Sequence, residues 1–471
     1  MPQQHPKQIH LAAHFPGVNH HTVWTDPSHQ PGTQSSFASF EHLARTAERG
    51  LFDFLFLAEG LRLREQRGQI IEHDVVGRPD TYTVLAALAG ITTRLGLAGT
   101  INATFNEPYE LARQFATLDH LSAGRAAWNV VTSSDAFHGA NFRRGGYLDH
   151  ADRYERAREV VDTARALWDA WAPDAVLADP VSGTYVRERS VGLVRTGGRL
   201  VDIEARPTLP RPPQGHPVII QAGDSDGGRE LAAQVADAVF SRHGGLEDGR
   251  AFYADVKGRL ARYGRSPDDL KILPGASFVL GDTPADAEER LREIQHQQVR
   301  PAVARSFVEQ VWNRDLSAYD VDGPLPDVDP LVEEPSITQG RAAQFADPRA
   351  VAARWRAIAE EKDLSIRELV IEVIGRQSFV GTPQQVADDI DRHVQTGASD
   401  GFILIPHLTP HGLDEFVDRV VPLLQERGSY RTEYTGTTLR EHLGLPDAGA
   451  FGRTLPVAAD VPSADAALAV P

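Results

Sequence analysis

Along the chain, short runs of apolar, β-branched and aromatic residues alternate with longer stretches in which apolar residues recur every three to four positions. The short runs occupy residues 8–15, 52–57, 95–101, 126–132, 217–221, 238–240, 271–279 and 401–405. They are apolar on both faces rather than on alternate positions, the pattern of strands covered from both sides in a parallel sheet. Between them, helical periodicity covers residues 39–49, 81–92, 108–121, 150–171, 228–235, 246–263, 284–297 and 413–426. Strand–helix repetition predicts an α/β fold with right-handed crossovers. Repetition on this scale in one chain predicts a closed (β/α)8 TIM barrel with insertions. An open doubly wound sheet is the alternative arrangement of the same elements.

The pattern breaks in two places and fades at the end. Residues 174–211 carry Gly183-Thr184-Tyr185 and Gly197-Gly198-Arg199 beside β-like runs and read as a hairpin excursion. Residues 299–346 are rich in Pro, Asp and Gly and read as a long lid or excursion over the barrel mouth. Residues 1–445 thus read as one barrel domain, and the Ala-, Pro- and Val-rich residues 446–471 as an extended or partly disordered tail.

Composition narrows the function. The chain has 471 residues, 41% of them hydrophobic, and a formal charge of −17 from 65 acids and 48 bases. An acidic balance argues against nucleic acid, which needs a basic footprint, and against an anionic membrane surface. The absence of cysteine removes disulfides, thiolate metal sites and a cysteine nucleophile. No apolar run is long enough to span a membrane, and the first residues lack a secretory pattern, so a cytoplasmic location is expected.

Four groups of residues can carry chemistry. The first is Gln221-Ala222-Gly223-Asp224-Ser225-Asp226-Gly227-Gly228, between an apolar strand and a helix. Such a turn offers free backbone N–H groups and a positive dipole end, a place for phosphate. Two carboxylates beside an anion would each cost roughly 3 kcal/mol at about 6 Å. Asp224 and Asp226 must therefore face outward if an anion binds here. The same residues also fit Gly-x-Ser-x-Gly, the nucleophile elbow of serine hydrolases. In that reading Ser225 is the nucleophile, with Asp400 and His407 or His411 as partners.

The second group is His150 and Tyr154, four residues apart and so on one helix face, where both can donate to a phosphate. The third is the polar set at the strand ends: Glu59, Asn102, Thr104, Asn129, Thr132 and Ser133. In a (β/α)8 barrel they share one rim. The fourth is the group His14, Phe15, Asn19, His20, His21 and Trp24 after the first strand. It fits no known metal-ligand spacing, so no metal is expected. It reads as a substrate-facing aromatic loop in which His20 or His21 handles a proton.

Several blocks together resemble the bacterial-luciferase-like flavin monooxygenases. These are Phe52-Asp53 with Phe56-Leu57-Ala58-Glu59; Leu118-Asp119-His120-Leu121-Ser122-Ala123-Gly124-Arg125; Trp128-Asn129-Val130-Val131-Thr132-Ser133; Arg153-Tyr154; Gln221-Ala222-Gly223; Gly381-Thr382-Pro383; and Thr438-Leu439-Arg440 with Leu443-Gly444-Leu445. The resemblance is closest to the branch with nitrilotriacetate, dibenzothiophene sulfone and long-chain alkane monooxygenases. It implies a (β/α)8 barrel that takes reduced FMN (FMNH2) from a separate NAD(P)H:flavin reductase and uses O2 to oxygenate a small-molecule substrate. Dimers or tetramers are usual in that family. By position, Glu59, Thr104, Asn129 and Thr132 match residues around the flavin ring, and His150, Tyr154, Gly223 and Ser225 match the phosphate end. Three departures stand out: Glu59 replaces the usual Asp, Asn102-Ala103 replaces Ser-Thr, and the turn at Ser225 is unusually acidic. A deazaflavin (F420)-dependent oxidoreductase on the same barrel and a flavin-binding protein without catalysis are the neighbouring readings.

Overall fold

The computed structural model describes residues 6–16, 24–28, 32–71, 79–132, 139–142, 150–339, 347–374 and 378–448. Eight strands fall where the apolar runs predict them: β1 (His10–His14), β2 (Phe54–Leu57), β3 (Gly96–Asn102), β4 (Ala126–Val131), β5 (Val218–Gln221), β6 (Ala238–Ser241), β7 (Lys271–Ala276) and β8 (Gly401–Leu404). They pair in chain order and β8 returns to β1, closing a parallel barrel. At this seam His10 lies opposite Gly401 and Ala13 opposite Leu404. A side chain at Gly401 would put its Cβ 1.8 Å from the His10 carbonyl oxygen, so the seam requires glycine there.

Both faces of each strand are buried, as the sequence pattern requires, but in different company. Ala12, Phe54, Phe56, Ala98, Ala127, Val218, Ile220, Ala238, Leu273 and Ile403 point inward and fill the barrel. Leu11, Leu55 and Leu97 point outward beneath one group of helices, and Trp128 and Ile219 beneath another. The helices that follow the strands are α1 (Phe37–Arg49), α2 (Thr81–Ala89), α3 (Pro108–Leu121), α4 (His150–Trp168), α5 (Asp226–Val235), α6 (Leu246–Leu260) and α7 (Pro284–Gln298). Several starts carry a local signal: Asp80 caps α2, and Thr283 with Asp286 forms a capping box on α7.

Three expectations are corrected. Residues 299–346, expected as a long lid or excursion, open with a helix the sequence reading does not place, α8 (Pro301–Trp312). Pro301 sits at the first turn, where its missing N–H costs nothing. Val303, Phe307, Val311 and Trp312 of α8 build a separate core with Trp355 of α9 (Pro348–Lys362) and with Leu369 and Val370 of α10 (Ile366–Ile374). Second, β7 stops at Ala276, and Phe278–Leu280 leaves to pair with Phe379–Gly381, just before α11 (Pro383–Gln395). Third, the last long helix is divided at Val420 into α12 (Asp414–Arg419) and α13 (Val421–Glu426). The excursion at 174–211 holds two antiparallel pairs, Val176–Asp179 with Thr184–Val186 and Val194–Gly197 with Asp202–Ala205.

The amino-terminal end of the barrel is plugged. Leu439 and His442 bound the short α14, whose Leu439 joins Leu443 and Leu445 in the barrel cluster. Arg440 places its guanidinium 2.9 and 3.1 Å from the two oxygens of Asp237, immediately before β6, with both residues buried. With this end sealed, the carboxyl-terminal rim is where a ligand can enter. No helix among the described residues is long and apolar enough to cross a membrane.

Candidate active site at the carboxyl-terminal rim

Strand alternation selects what faces the inner rim. On β4, Trp128 turns outward and donates its indole N–H to the Ile101 carbonyl. Asn129 therefore turns inward, where its Nδ2 donates to Thr100 Oγ1 at 2.9 Å. Asn129 is buried, and its Oδ1 has no partner among the described residues. An amide oxygen held dry and unbonded at a barrel mouth is a prepared acceptor for a ligand N–H, because leaving it empty costs desolvation. One layer across, the rings of Phe56 and Phe240 stack at 5.5 Å and 10°. His14 packs on the other flank of Phe56 at 5.5 Å.

Glu59 leaves the end of β2 and bridges to the end of β3. Its carboxylate accepts from the Asn102 backbone N–H at 3.2 Å and from Asn102 Nδ2 at 3.1 Å. Burial pushes its pKa up to about 7 against these bonds, which pull the other way. Asn102 and Glu59, two residues singled out at separate strand ends, are thus each other's partners. Thr104 is buried two residues on, and Thr132 is half-buried where β4 ends. Tyr82, at the start of α2, packs its ring 4.9 Å from Phe115, and its buried hydroxyl has no partner among the described residues. Burial and the nearby Glu59 charge push that phenol well above its usual range.

The turn after β5 forms the second half of the site. Ser225 caps α5, its Oγ accepting from the Gly228 N–H at 3.2 Å. Tyr154, from the first turns of α4, places its hydroxyl 2.8 Å from the same Oγ. Gly228 lies against Gly223 so closely that a Cβ on it would stand 2.8 Å from Gly223 backbone atoms. A Cβ on Gly227 would rest 3.6 Å from the Tyr154 ring. Small residues, a helix start and two hydroxyls therefore converge on one point, the composition of an anion cradle.

Each acidic residue here meets a basic side chain. Asp226 is 89% exposed and turned to Arg259 at 2.8 Å. Asp224 meets His243 Nε2 at 2.7 Å and Arg229 at 3.3 Å. Burial is opposed by these partners, which hold its carboxyl below the usual range. His243 in turn lies over the Phe252 ring and reaches Asp248 at 2.6 Å. These basic partners, of which Arg229 is shared with Asp255 and Arg259 with Asp255 and Glu230, lessen the objection that two aspartates raise to anion binding.

The arrangement overturns the serine-hydrolase alternative. Ser225 bonds a tyrosine and a backbone amide, with no histidine hydrogen-bonded to it among the described residues. Asp400 stands at the opposite, amino-terminal end of β8, held by Lys7 at 2.7 Å and Lys257 at 3.0 Å. His411 is engaged on the outer layer with Asp414. A nucleophile and an acid at opposite ends of a barrel cannot form a triad.

Of the residues singled out from sequence, the structure brings Tyr154, Ser225 and Gly223 together at α5, and Glu59, Asn129, Thr104 and Thr132 around the rim. The backbone of His150 begins α4, one turn before Tyr154, while its side chain, like His20, His21 and Ser133, lies outside the described residues. Thr100, Tyr82, Phe240 and His243 were not anticipated. Thr100 was open to period-2 reading of β3, since it shares the inward face with Ala98 and Asn102. Tyr82 and His243 join the site by tertiary contact alone.

Comparison with known proteins bears on this geometry. A family model described as luciferase-like monooxygenase matches residues 20–400. The chain is 39% identical to the N-acetyl-S-(2-succino)cysteine monooxygenase of Bacillus subtilis, over 93% of this chain and 97% of that one. It is also 39% identical to nitrilotriacetate monooxygenase component A of Aminobacter aminovorans, again over 93% and 97%. Among solved structures, riboflavin lyase with modified FMN and riboflavin superimposes with a TM-score of 0.77 at 29% identity, covering 94% of this chain and 97% of that one.

Proposed function

The chain belongs to the luciferase-like monooxygenase family, whose members are flavin-dependent oxidoreductases, and on that premise we propose that it is the oxygenase of a two-component system working on FMN delivered in the reduced state. The partner is a separate NAD(P)H:flavin reductase, met transiently, and the substrate is a small organic molecule in the cytoplasm. A homodimer or homotetramer is the expected assembly.

The observation that carries this reading is the meeting of Tyr154, Ser225 and the α5 amino terminus. There Tyr154 Oη, Ser225 Oγ and the free N–H groups of the first turn would hold the FMN phosphate, with His150 one turn away on the same helix. Each bond to a charged oxygen contributes about 1.5–3 kcal/mol. At the rim, the unpartnered Asn129 Oδ1 would be available to accept a hydrogen bond from a bound flavin, and the Glu59–Asn102 bridge would border it. Thr104 and Thr132 border the same space.

When bound and reduced, the flavin supplies the electrons that activate O2 for transfer of one oxygen atom to substrate. What the protein's own residues contribute is enclosure, orientation and control of protons. The Phe56–Phe240 stack closes the floor against water from the barrel interior. Above the rim, the segment leaving Glu59 forms a hairpin, Glu65–Gln66 with Gln69–Ile70, that pairs with Thr338–Gln339. Ser306 of α8 also donates to Gln66 at 2.6 Å. The helical insertion is thereby tied to the strand that carries Glu59, which suits it to covering a bound substrate. His20 and His21 stay as the candidates for proton handling at the substrate.

The test is anaerobic titration with reduced FMN and, in parallel, with a reduced deazaflavin. It is followed by a substrate panel with FMN, NADH and a competent flavin reductase, scored for oxygenated product. Tight binding of reduced FMN and substrate-dependent product support the reading. Preference for the deazaflavin, or oxygen use without product from every substrate, defeats it.

A further inference from the structure

On the outer layer, where the loop that follows β8 meets α1, three side chains turn toward one another across the seam between the first and last strand–helix units. His42 lies on α1, His411 on the turn before α12, and Asp414 at the start of α12. His42 Nε2 is 2.9 Å from each Asp414 oxygen. His411 Nδ1 is 3.1 Å from His42 Nε2 and 3.3 Å from Asp414 Oδ2. The two rings meet edge to face with centroids 4.3 Å apart.

Protons alone do not account for this triangle. Each imidazole nitrogen carries at most one hydrogen. If both donate to the carboxylate, two N–H groups oppose each other across the 3.1 Å edge. If His411 donates to His42 instead, His42 presents a lone pair to Asp414, and if His42 donates to both, the His411 lone pair faces Asp414 Oδ2 across the 3.3 Å edge. A single cation at the centre satisfies all three edges. A tetrahedral ion with bonds of about 2.0–2.1 Å has ligand–ligand edges of about 3.3 Å, and the observed edges are 2.9, 3.1 and 3.3 Å. The carboxylate is oriented for such a role. Thr46, one turn along α1 from His42, donates to Asp414 Oδ1 at 2.7 Å, while Oδ2 is the oxygen within reach of both histidines. That is the outer partner a ligating carboxylate ordinarily has. The side chains are 34%, 59% and 32% exposed for His42, His411 and Asp414, so an ion has a path in and a fourth position for water.

We propose that His42, His411 and Asp414 form a binding site for one divalent transition-metal ion of the Zn2+ class, which clips α1 to the α12 turn across the β1–β8 seam. The nitrogen-rich donor set selects against Mg2+ and Ca2+, which prefer all-oxygen cages. The open fourth position makes it an exchangeable ion rather than a sealed one, and the clip lies outside the flavin site.

Untagged full-length protein, stripped with a chelator, is titrated with Zn2+ by calorimetry and with Co2+ by visible absorption. One ion per chain is expected, with the intense d–d bands of a tetrahedral Co2+ centre. Saturation at roughly a hundred times Kd raises the thermal midpoint by about 3 °C for a chain of this size. His411→Ala, at the most exposed ligand, is expected to weaken Zn2+ binding at least tenfold and to cut the midpoint shift at the same Zn2+ concentration by about half or more, with the metal-free midpoint and reduced-FMN affinity unchanged. Asp414→Asn is the second variant, expected to behave alike. Zn2+ affinity unchanged by either substitution, or Co2+ spectra that stay octahedral and weak, would overturn the proposal.

Discussion

Tyr154 Oη and Ser225 Oγ stand 2.8 Å apart although 71 positions separate them in the chain. The contact joins the first turns of α4 to the cap of α5, and so couples two helices that flank β5. Because Ser225 Oγ already accepts from Gly228 N–H, the hydroxyl pair is held in place before any ligand arrives. Pre-set donors lower the cost of ordering an anion.

Tyr154→Phe and Ser225→Ala are each expected to weaken reduced-FMN binding by roughly 10–100-fold, the loss of one hydrogen bond to a charged group. The double variant should lose less than the product of the two, because the hydroxyls share a contact. Riboflavin, which lacks the phosphate, is the control. Equal losses for FMN and riboflavin in anaerobic titrations would remove the phosphate from this position.

Glu59 makes the fold pH-dependent. Its folded pKa of about 7 lies above the ordinary 4.5, so the folded state holds the proton more tightly than the unfolded chain. The stability this gives is complete below about pH 4.5 and is lost as pH rises through 7. The difference is at most about 3 kcal/mol. In urea unfolding without flavin, Glu59→Gln should show a flatter profile than the parent between pH 4.5 and 8. Parallel profiles would show that Glu59 titrates normally.

His407 acts with the opposite sign. It is buried just past β8, its Nδ1 has no partner among the described residues, and burial together with the Arg290 charge lowers its pKa to about 4. The unfolded chain takes up the proton near pH 6.5, so the stability contributed is present above 6.5 and lost as pH falls through 4. His407→Leu should blunt the fall in thermal midpoint across that window. An identical acid limb in parent and variant would contradict the assignment.

Arg440→Met is expected to destabilise the chain by about 3 kcal/mol, since it removes the cation hydrogen-bonded to the buried Asp237 carboxylate while the charges of Arg165 and Arg265 remain near it. Adding Asp237→Asn should recover part of the loss. Asparagine still accepts the Ile219 N–H that Asp237 now holds at 2.8 Å. Guanidinium unfolding of the three variants measures both effects. No recovery in the double variant would mean that Arg440 acts through packing of the plug rather than charge.

Local pattern determined the barrel. Strands buried on both faces show as continuous apolar runs, and crossover helices show as a longer period between them, so β1 through β8 and the first seven helices were readable within a few residues. The cradle at Ser225 was equally open, because a helix start with glycines and a hydroxyl is one contiguous motif. What only tertiary structure decided is partnership across distance. Pro301 opens a helix because Trp355 and Leu369 wait to cover its apolar face. Asp224 and Asp226 are countered by His243, Arg229 and Arg259, which only folding brings to them. Asn129 is left with a bare acceptor because Thr100 satisfies only its amide N–H, and His42 meets His411 because β8 closes on β1. Periodicity records which face of an element is buried, whereas the identity of the group facing it depends on how the chain closes in space.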